Sequence, residues 1–132
     1  MTAPLALVLY ERLLPGTQLV NRLQDLGYRV QTAGGAEQLL ACASREKPMI
    51  VLADLVSTRA KISEVISQLR QNPTTSHLPV IAFADDKDAA LQNAAREAGA
   101  TLVVNEAAIL NHLEQFLEQA DPIAGEHGLR HD

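Results

Sequence analysis

Three five-residue stretches, Leu5-Ala6-Leu7-Val8-Leu9, Met49-Ile50-Val51-Leu52-Ala53 and Val80-Ile81-Ala82-Phe83-Ala84, carry no charged or hydrogen-bonding side chain. Successive side chains of a strand point to opposite faces, so an unbroken apolar run needs cover on both sides. Such strands belong inside a parallel sheet with helices packed above and below it. Each run falls far short of the roughly 18 apolar residues that a membrane span requires. The first run lacks a basic stretch ahead of it and reads as a strand, not a signal peptide.

The segments between the runs have helical periodicity. Pro15-Gly16-Thr17 opens a helix with Leu19, Val20, Leu23 and Leu26 inward, and Gly27 closes it. After Gly34-Gly35, the positions Ala36, Leu39, Leu40 and Ala43 share a face, and Pro48 ends that unit. Ile62, Val65, Ile66 and Leu69 follow the i, i+3, i+4, i+7 rule before Asn72-Pro73. An alanine-rich helix from Lys87 to Ala98 turns Leu91, Ala94, Ala95 and Ala98 inward and is capped by Gly99. A last helix uses Ile109, Leu113, Phe116 and Leu117. Two weaker strands, Tyr28 to Thr32 and Leu102 to Val104, bring the number of strand–helix units to five. This pattern predicts an α/β fold: a flavodoxin-like (βα)5 doubly wound sandwich around a five-stranded parallel sheet of order 2-1-3-4-5. The expected domain covers residues 1–121. Pro122 and Gly125 mark 122–132 as a flexible tail.

Composition narrows the function. The chain has 132 residues, 47% of them hydrophobic, with 16 Asp+Glu against 11 Lys+Arg and no Trp. An acidic surface with two Tyr and two Phe offers neither the basic footprint nor the stacking platforms of a nucleic-acid binder. The single Cys42 excludes a disulfide framework. His77, His112, His127 and His131 lack metal-ligand spacing, and no glycine-rich phosphate loop is present. No nucleophile has an evident base, so no enzyme chemistry is expected. The expected setting is cytoplasmic, without membrane association.

In a doubly wound sheet, sites form at the carboxyl ends of the strands. Those ends carry Glu11, Asp54, Asp85-Asp86 and Glu106. Carboxylates crowded together need a cation, a proton or a basic partner. Glu11 and Asp54, with Asp85 as a further donor, are oxygen ligands suited to a hard cation such as Mg²⁺. Glu11 also reads as a solvated acid beside Arg12, and Asp85-Asp86 as acids favoured at a helix N-terminus.

Several of these segments, in order, resemble the response-regulator receiver family. Pro48-Met49-Ile50-Val51-Leu52-Ala53-Asp54-Leu55 is similar to its proline, strand and phosphoacceptor segment. His77-Leu78-Pro79-Val80-Ile81-Ala82-Phe83 resembles the approach to its fourth strand, and Ala95-Arg96-Glu97-Ala98-Gly99-Ala100 its A-x-x-A-G-A helix ending. The resemblance runs from Leu5 to about Gln119 and implies Asp54 as the phosphoacceptor position. It also implies Mg²⁺ as the family's cofactor and a histidine kinase, scaffold or effector as partner.

Other family positions are replaced. The acidic pair after the first strand is Tyr10-Glu11, and the hydroxyl residue after the fourth strand is Ala84. The lysine after the fifth strand is Glu106, or Asn105 with a one-residue gap, and the switch aromatic falls near Val103. The proline and glycine of the loop after the phosphoacceptor are missing from Leu55-Val56-Ser57-Thr58-Arg59. An aspartate that accepts a phosphoryl group relies on positioning and charge neutralisation. Exchanging lysine for Glu106 works against both. The sequence therefore reads as a pseudo-receiver: a signalling interaction module with no required cofactor and no aspartyl-phosphate switch. By resemblance its docking face on the fourth helix, fifth strand and fifth helix includes Arg96, Val103, Asn105, His112 and Gln115. A homodimer through the fourth or fifth helix stays open. The alternatives are a divergent active receiver phosphorylated on Asp54, and a small-molecule or nucleotide binder of flavodoxin-like fold.

Overall fold

The three apolar runs become the three inner strands of the sheet, except that the second strand-forming run starts at Ile50 and leaves Met49 exposed ahead of it. A computed structural model of the chain describes residues 3–57 and 61–120. In chain order the elements are β1 (Leu5–Leu9), α1 (Leu13–Asp25), β2 (Arg29–Ala33), α2 (Ala36–Glu46), β3 (Ile50–Asp54), α3 (Ile62–Gln71) and β4 (Val80–Ala84). A 3₁₀ turn at Asp86–Asp88 leads into α4 (Ala89–Ala98), β5 (Leu102–Asn105), α5 (Glu106–Asn111) and α6 (Leu113–Ala120). All strand pairs are parallel and the order is β2-β1-β3-β4-β5, the expected doubly wound sheet.

Alternation along each inner strand builds two cores. Leu7, Leu9, Val51, Ala53, Val80 and Ala82 face α2, α3 and the buried Ala95 of α4. Ala6, Val8, Ile50, Leu52, Ile81 and Phe83 face α1, α5 and α6. Every residue of β1, β3 and β4 is buried. At roughly 1.5–3 kcal/mol per large buried side chain, these strands anchor the domain.

Several boundaries depart from the sequence reading, each for a local reason. Helical structure begins at Leu13, but Leu14 is extended (φ −114°, ψ 126°), as expected of a residue preceding proline. The regular helix therefore starts at Pro15. The fourth helix begins two residues late because the Asp85 carboxylate accepts from Lys87 N–H and draws a tight turn ahead of it. Leu91, expected inward, is 40% exposed, and Ala95 holds the centre of the buried face. The last helix is two helices broken at His112 (φ −129°, ψ 31°), whose ring meets Phe116 edge-on at 6.5 Å. Ile109 before the break and Leu113 and Leu117 after it are all buried, so the apolar pattern does not reveal the break in the sequence. Cys42 is a buried core residue. Thr58, Arg59, His127, His131 and the tail 122–132 lie outside the described residues.

One side chain ties the β4 and β5 connections together. Arg70, at the end of α3, donates to the carbonyls of Gly99 (2.9 Å), Leu78 (2.6 Å) and Ser76 (3.0 Å) and to Thr101 Oγ1 (3.2 Å). Gly99 has φ +109°, and a β-carbon there would press on the Arg70 stem at 3.0 Å. Thr101 in turn accepts from Val80 N–H at 3.0 Å. Arg70→Leu is expected to lower unfolding free energy by about 1–3 kcal/mol, measured by urea denaturation. Arg70→Lys should recover only part of it, because an ammonium cannot span these acceptors.

Candidate functional site at the carboxyl ends of the strands

Asp54 closes β3 on a fully apolar strand and is 1% exposed, with its side chain wholly buried. An isolated carboxylate there would cost several kcal/mol. It is not isolated. Arg12, just beyond β1, sets its planar fork on it: Nε donates to Oδ2 at 2.8 Å and Nη2 to Oδ1 at 2.7 Å. Val56 N–H adds a third bond to Oδ1 at 3.0 Å. Both carboxylate oxygens are thus satisfied in the strongest geometry available to a carboxylate–arginine pair.

Arg12 reaches a second acid. Its Nη2 also donates to Glu106 Oε1 at 2.6 Å, so one guanidinium joins the ends of β1 and β3 to the start of α5. The two carboxylates hold the guanidinium pKa above its ordinary range, with the Asp54 hydrogen bond the largest cause, against the opposing effect of burial. While both carboxylates are ionised, a raised arginine pKa contributes stability that is lost as pH rises through the guanidinium range.

The backbone delivers Arg12 through a close contact. The Tyr10 ring lies over Gly16, where a β-carbon would collide with the ring. Glycine therefore lets the Tyr10-Glu11-Arg12 segment fold down against α1. Glu11 does not point into open solvent: its carboxylate accepts from the Ser57 hydroxyl in the β3–α3 loop. Asp85 is exposed and occupied in capping, which agrees with its reading as a helix-start acid. Asn105 accepts from Ala107 and Ala108 N–H and so caps α5. Ala84 is fully buried and its carbonyl accepts from Gln92 Nε2 at 3.1 Å. Val103 packs against the α2–α4 core. Arg96, His112 and Gln115 are exposed.

Glu106, which stands where the resemblance expects a lysine, is neutralised in part by Arg12. Arg12 itself was missed as a site residue. The available signal was the charge inventory: carboxylates at four strand ends and a single arginine directly after β1.

These residues do not fit a divalent cation. Mg²⁺ takes oxygen ligands at about 2.0–2.1 Å in octahedral array, but a guanidinium already lies against both Asp54 oxygens. No group of three His, Cys, Asp or Glu among the described residues is placed to hold a metal. The crevice beside Asp54, walled by Leu9, Glu11, Gly35, Ser57 and Ile62, retains about 10 Å³. That is room for one water at most.

Removing Arg12 should therefore be costly. Arg12→Ala is expected to destabilise the chain by about 2–4 kcal/mol, less than for a fully buried pair because Arg12 is one-third exposed. Asp54→Asn should cost less, since it removes the buried charge while Arg12 keeps Glu106. The double variant Arg12→Met/Asp54→Leu should return close to the parent stability. Chemical denaturation of the four proteins checks this order.

No family model matches the sequence, and no curated protein is significantly similar to it. Solved structures are. The receiver domain of sensor histidine kinase PA1611 from Pseudomonas aeruginosa superposes with TM-score 0.83 at 17% identity, covering 92% of this chain and 99% of that one. It is described with a magnesium ion in its active-site cleft. Chemotaxis response regulator CheY4 of Vibrio cholerae gives TM-score 0.72 at 19% identity, over 86% of this chain and 98% of that one. NtrX from Brucella abortus gives 0.81 at 19% identity, over 99% of this chain and 29% of that longer one. The chain therefore has the fold of the response-regulator receiver domains, with an arginine bound to the aspartate at the end of its third strand.

Proposed function

We propose that this chain is a signal-transduction interaction module of receiver fold that works without an aspartyl-phosphate switch. The bidentate grip of Arg12 on Asp54 carries this reading. A phosphoacceptor must offer a free oxygen to the donor and then hold three new phosphoryl oxygens in a neutralised site. Here both oxygens are engaged, Glu106 and Glu11 add negative charge nearby, and Ala84 has no hydroxyl to sense a phosphoryl group. The module presents one state to a histidine kinase, scaffold or effector in the cytoplasm. Its docking face comprises Arg96, His112 and Gln115, with Val103 and Asn105 setting the shape of β5 beneath them. Association of two copies through α4 or α5 is compatible with this face.

One observation favours a second reading. Arg12 keeps a permanent cation at Asp54, and an arginine fork also binds phosphoryl oxygens well. In that reading Asp54 takes a phosphoryl group from a kinase phosphohistidine, the imidazole leaves, and Arg12 replaces the metal. The nearly filled crevice disfavours the third alternative, a small-molecule or nucleotide ligand at this position.

Amide NMR with Mg²⁺, and then with beryllofluoride as phosphoryl mimic, separates the first two readings. The module reading expects no shifts beyond those caused by salt. Shifts centred on Asp54 and spreading to α4 and β5 would establish a working switch and overturn it.

A further inference from the structure

The opposite end of the sheet carries a second feature that the Asp54 site does not use. A groove of about 480 Å³ runs across the amino ends of four neighbouring strands. A hollow of about 230 Å³ shares Lys47, Pro48, His77 and Leu78 with it and extends the same trough. The floor is apolar and rigid: Pro4, Pro48 and Pro79 lie beside Leu78 and Met49. Met49 is 43% exposed and offers the floor a pliable apolar contact.

The floor has little backbone left to offer a ligand. Its prolines have no N–H, and the carbonyls of Pro4, Leu5 and Pro79 already accept from Arg29, Met49 and Val51. Recognition must come from side chains. The polar ones are all basic: Arg29, Lys47 and His77 are exposed, and no Asp or Glu lines the groove. Yet acids outnumber Lys and Arg in this chain by 16 to 11. Among the described residues none of the three is paired with a carboxylate. Arg29 donates Nε to the Ala3 carbonyl at 3.1 Å, which fixes its stem at the β2 end of the groove. His77 stands at the β4 end, three residues before that strand.

We propose that this groove docks an acidic segment of a partner protein, with apolar anchors seated on Met49 and carboxylates at either end. Charge complementarity selects the acidic partner, and the open proline floor selects an extended chain. Four strand ends spaced about 4.8 Å apart span about 14 Å, the length of roughly four extended residues. Such a partner is repelled by the rest of this acidic molecule, which confines it to the groove.

The test uses the intact chain and two fluorescein-labelled, end-blocked peptides, Asp-Leu-Leu-Glu and Lys-Leu-Leu-Lys. Fluorescence polarisation should detect the acidic peptide only, and amide shifts should centre on Arg29, Met49 and the His77–Leu78 segment. Lys47→Glu and Arg29→Glu should each weaken binding about tenfold. Met49→Ala should weaken it about fivefold through lost apolar contact. Raising salt from about 50 mM to about 500 mM should weaken it several-fold. Circular dichroism checks that each variant is folded, and either charge reversal suffices if the other fails that check. Equal binding of the basic peptide, unchanged binding by a folded charge-reversal variant, or no groove shifts at about 1 mM peptide would overturn the proposal. So would the same shifts arising from the protein alone as its concentration rises, since the occupant would then be a second copy.

Discussion

A carboxylate at the end of a buried strand has to be answered from within the protein. Asp54 is carried into the interior because β3 is apolar on both faces and ends directly on it. The strand places the charge, and the surroundings must neutralise it. Arg12 does so from the end of β1, where a helix N-terminus would ordinarily disfavour a cation. It is held there because two acids outweigh that effect. Tyr10 over Gly16, the turn into Pro15 and the capped start of α5 all sit where they allow one guanidinium to reach both Asp54 and Glu106.

The two ends of the sheet differ in how completely their charge is used. In a doubly wound fold, helix N-termini gather at the carboxyl ends of the strands and helix C-termini at the amino ends. The macrodipole thus favours acids at the first and bases at the second. Glu11, Asp54, Asp85 and Glu106 follow that rule, as do Arg29 and Lys47. At the carboxyl end these groups meet partners, namely Arg12, the Ser57 hydroxyl and backbone N–H groups. At the amino end, Arg29 and Lys47 surround an apolar trough with no acid in it. The dipole accounts for where the bases stand, but not for the exposed Met49 between them.

The strands were legible because an apolar run without alternation has few other uses in a chain of this length. The helices were legible from their stripes, and the strand order came with the flavodoxin-like class that five strand–helix units suggest. What escaped was set by single side chains acting at a distance. No glycine or proline marks the break at His112, and the buried stripe runs from Ile109 before it to Leu113 and Leu117 after it. Leu91 matched the apolar face of its helix, yet the turn capped by Asp85 leaves it at the rim. Arg12 was hidden for a stronger reason. Its partners lie 42 and 94 positions away, and only the closed sheet brings them within one guanidinium's reach.

The departures at the site also depend on one another. With a lysine in place of Glu106, Arg12 would face a second cation and lose one of its two anchors. Were Arg12 apolar, Asp54 and Glu106 would be two acids without a counter-ion, and a bound metal would be the natural remedy. Glu106 and Arg12 therefore make sense as a pair and poorly as separate losses. A site that had merely decayed would leave Asp54 unpartnered or replaced, because a buried charge with no partner is among the most expensive features a core can carry. Here the charge is retained and fully bonded. In the proposed reading, that makes it a structural rivet between β1, β3 and α5, holding the exposed face of α4 and β5 in a single arrangement.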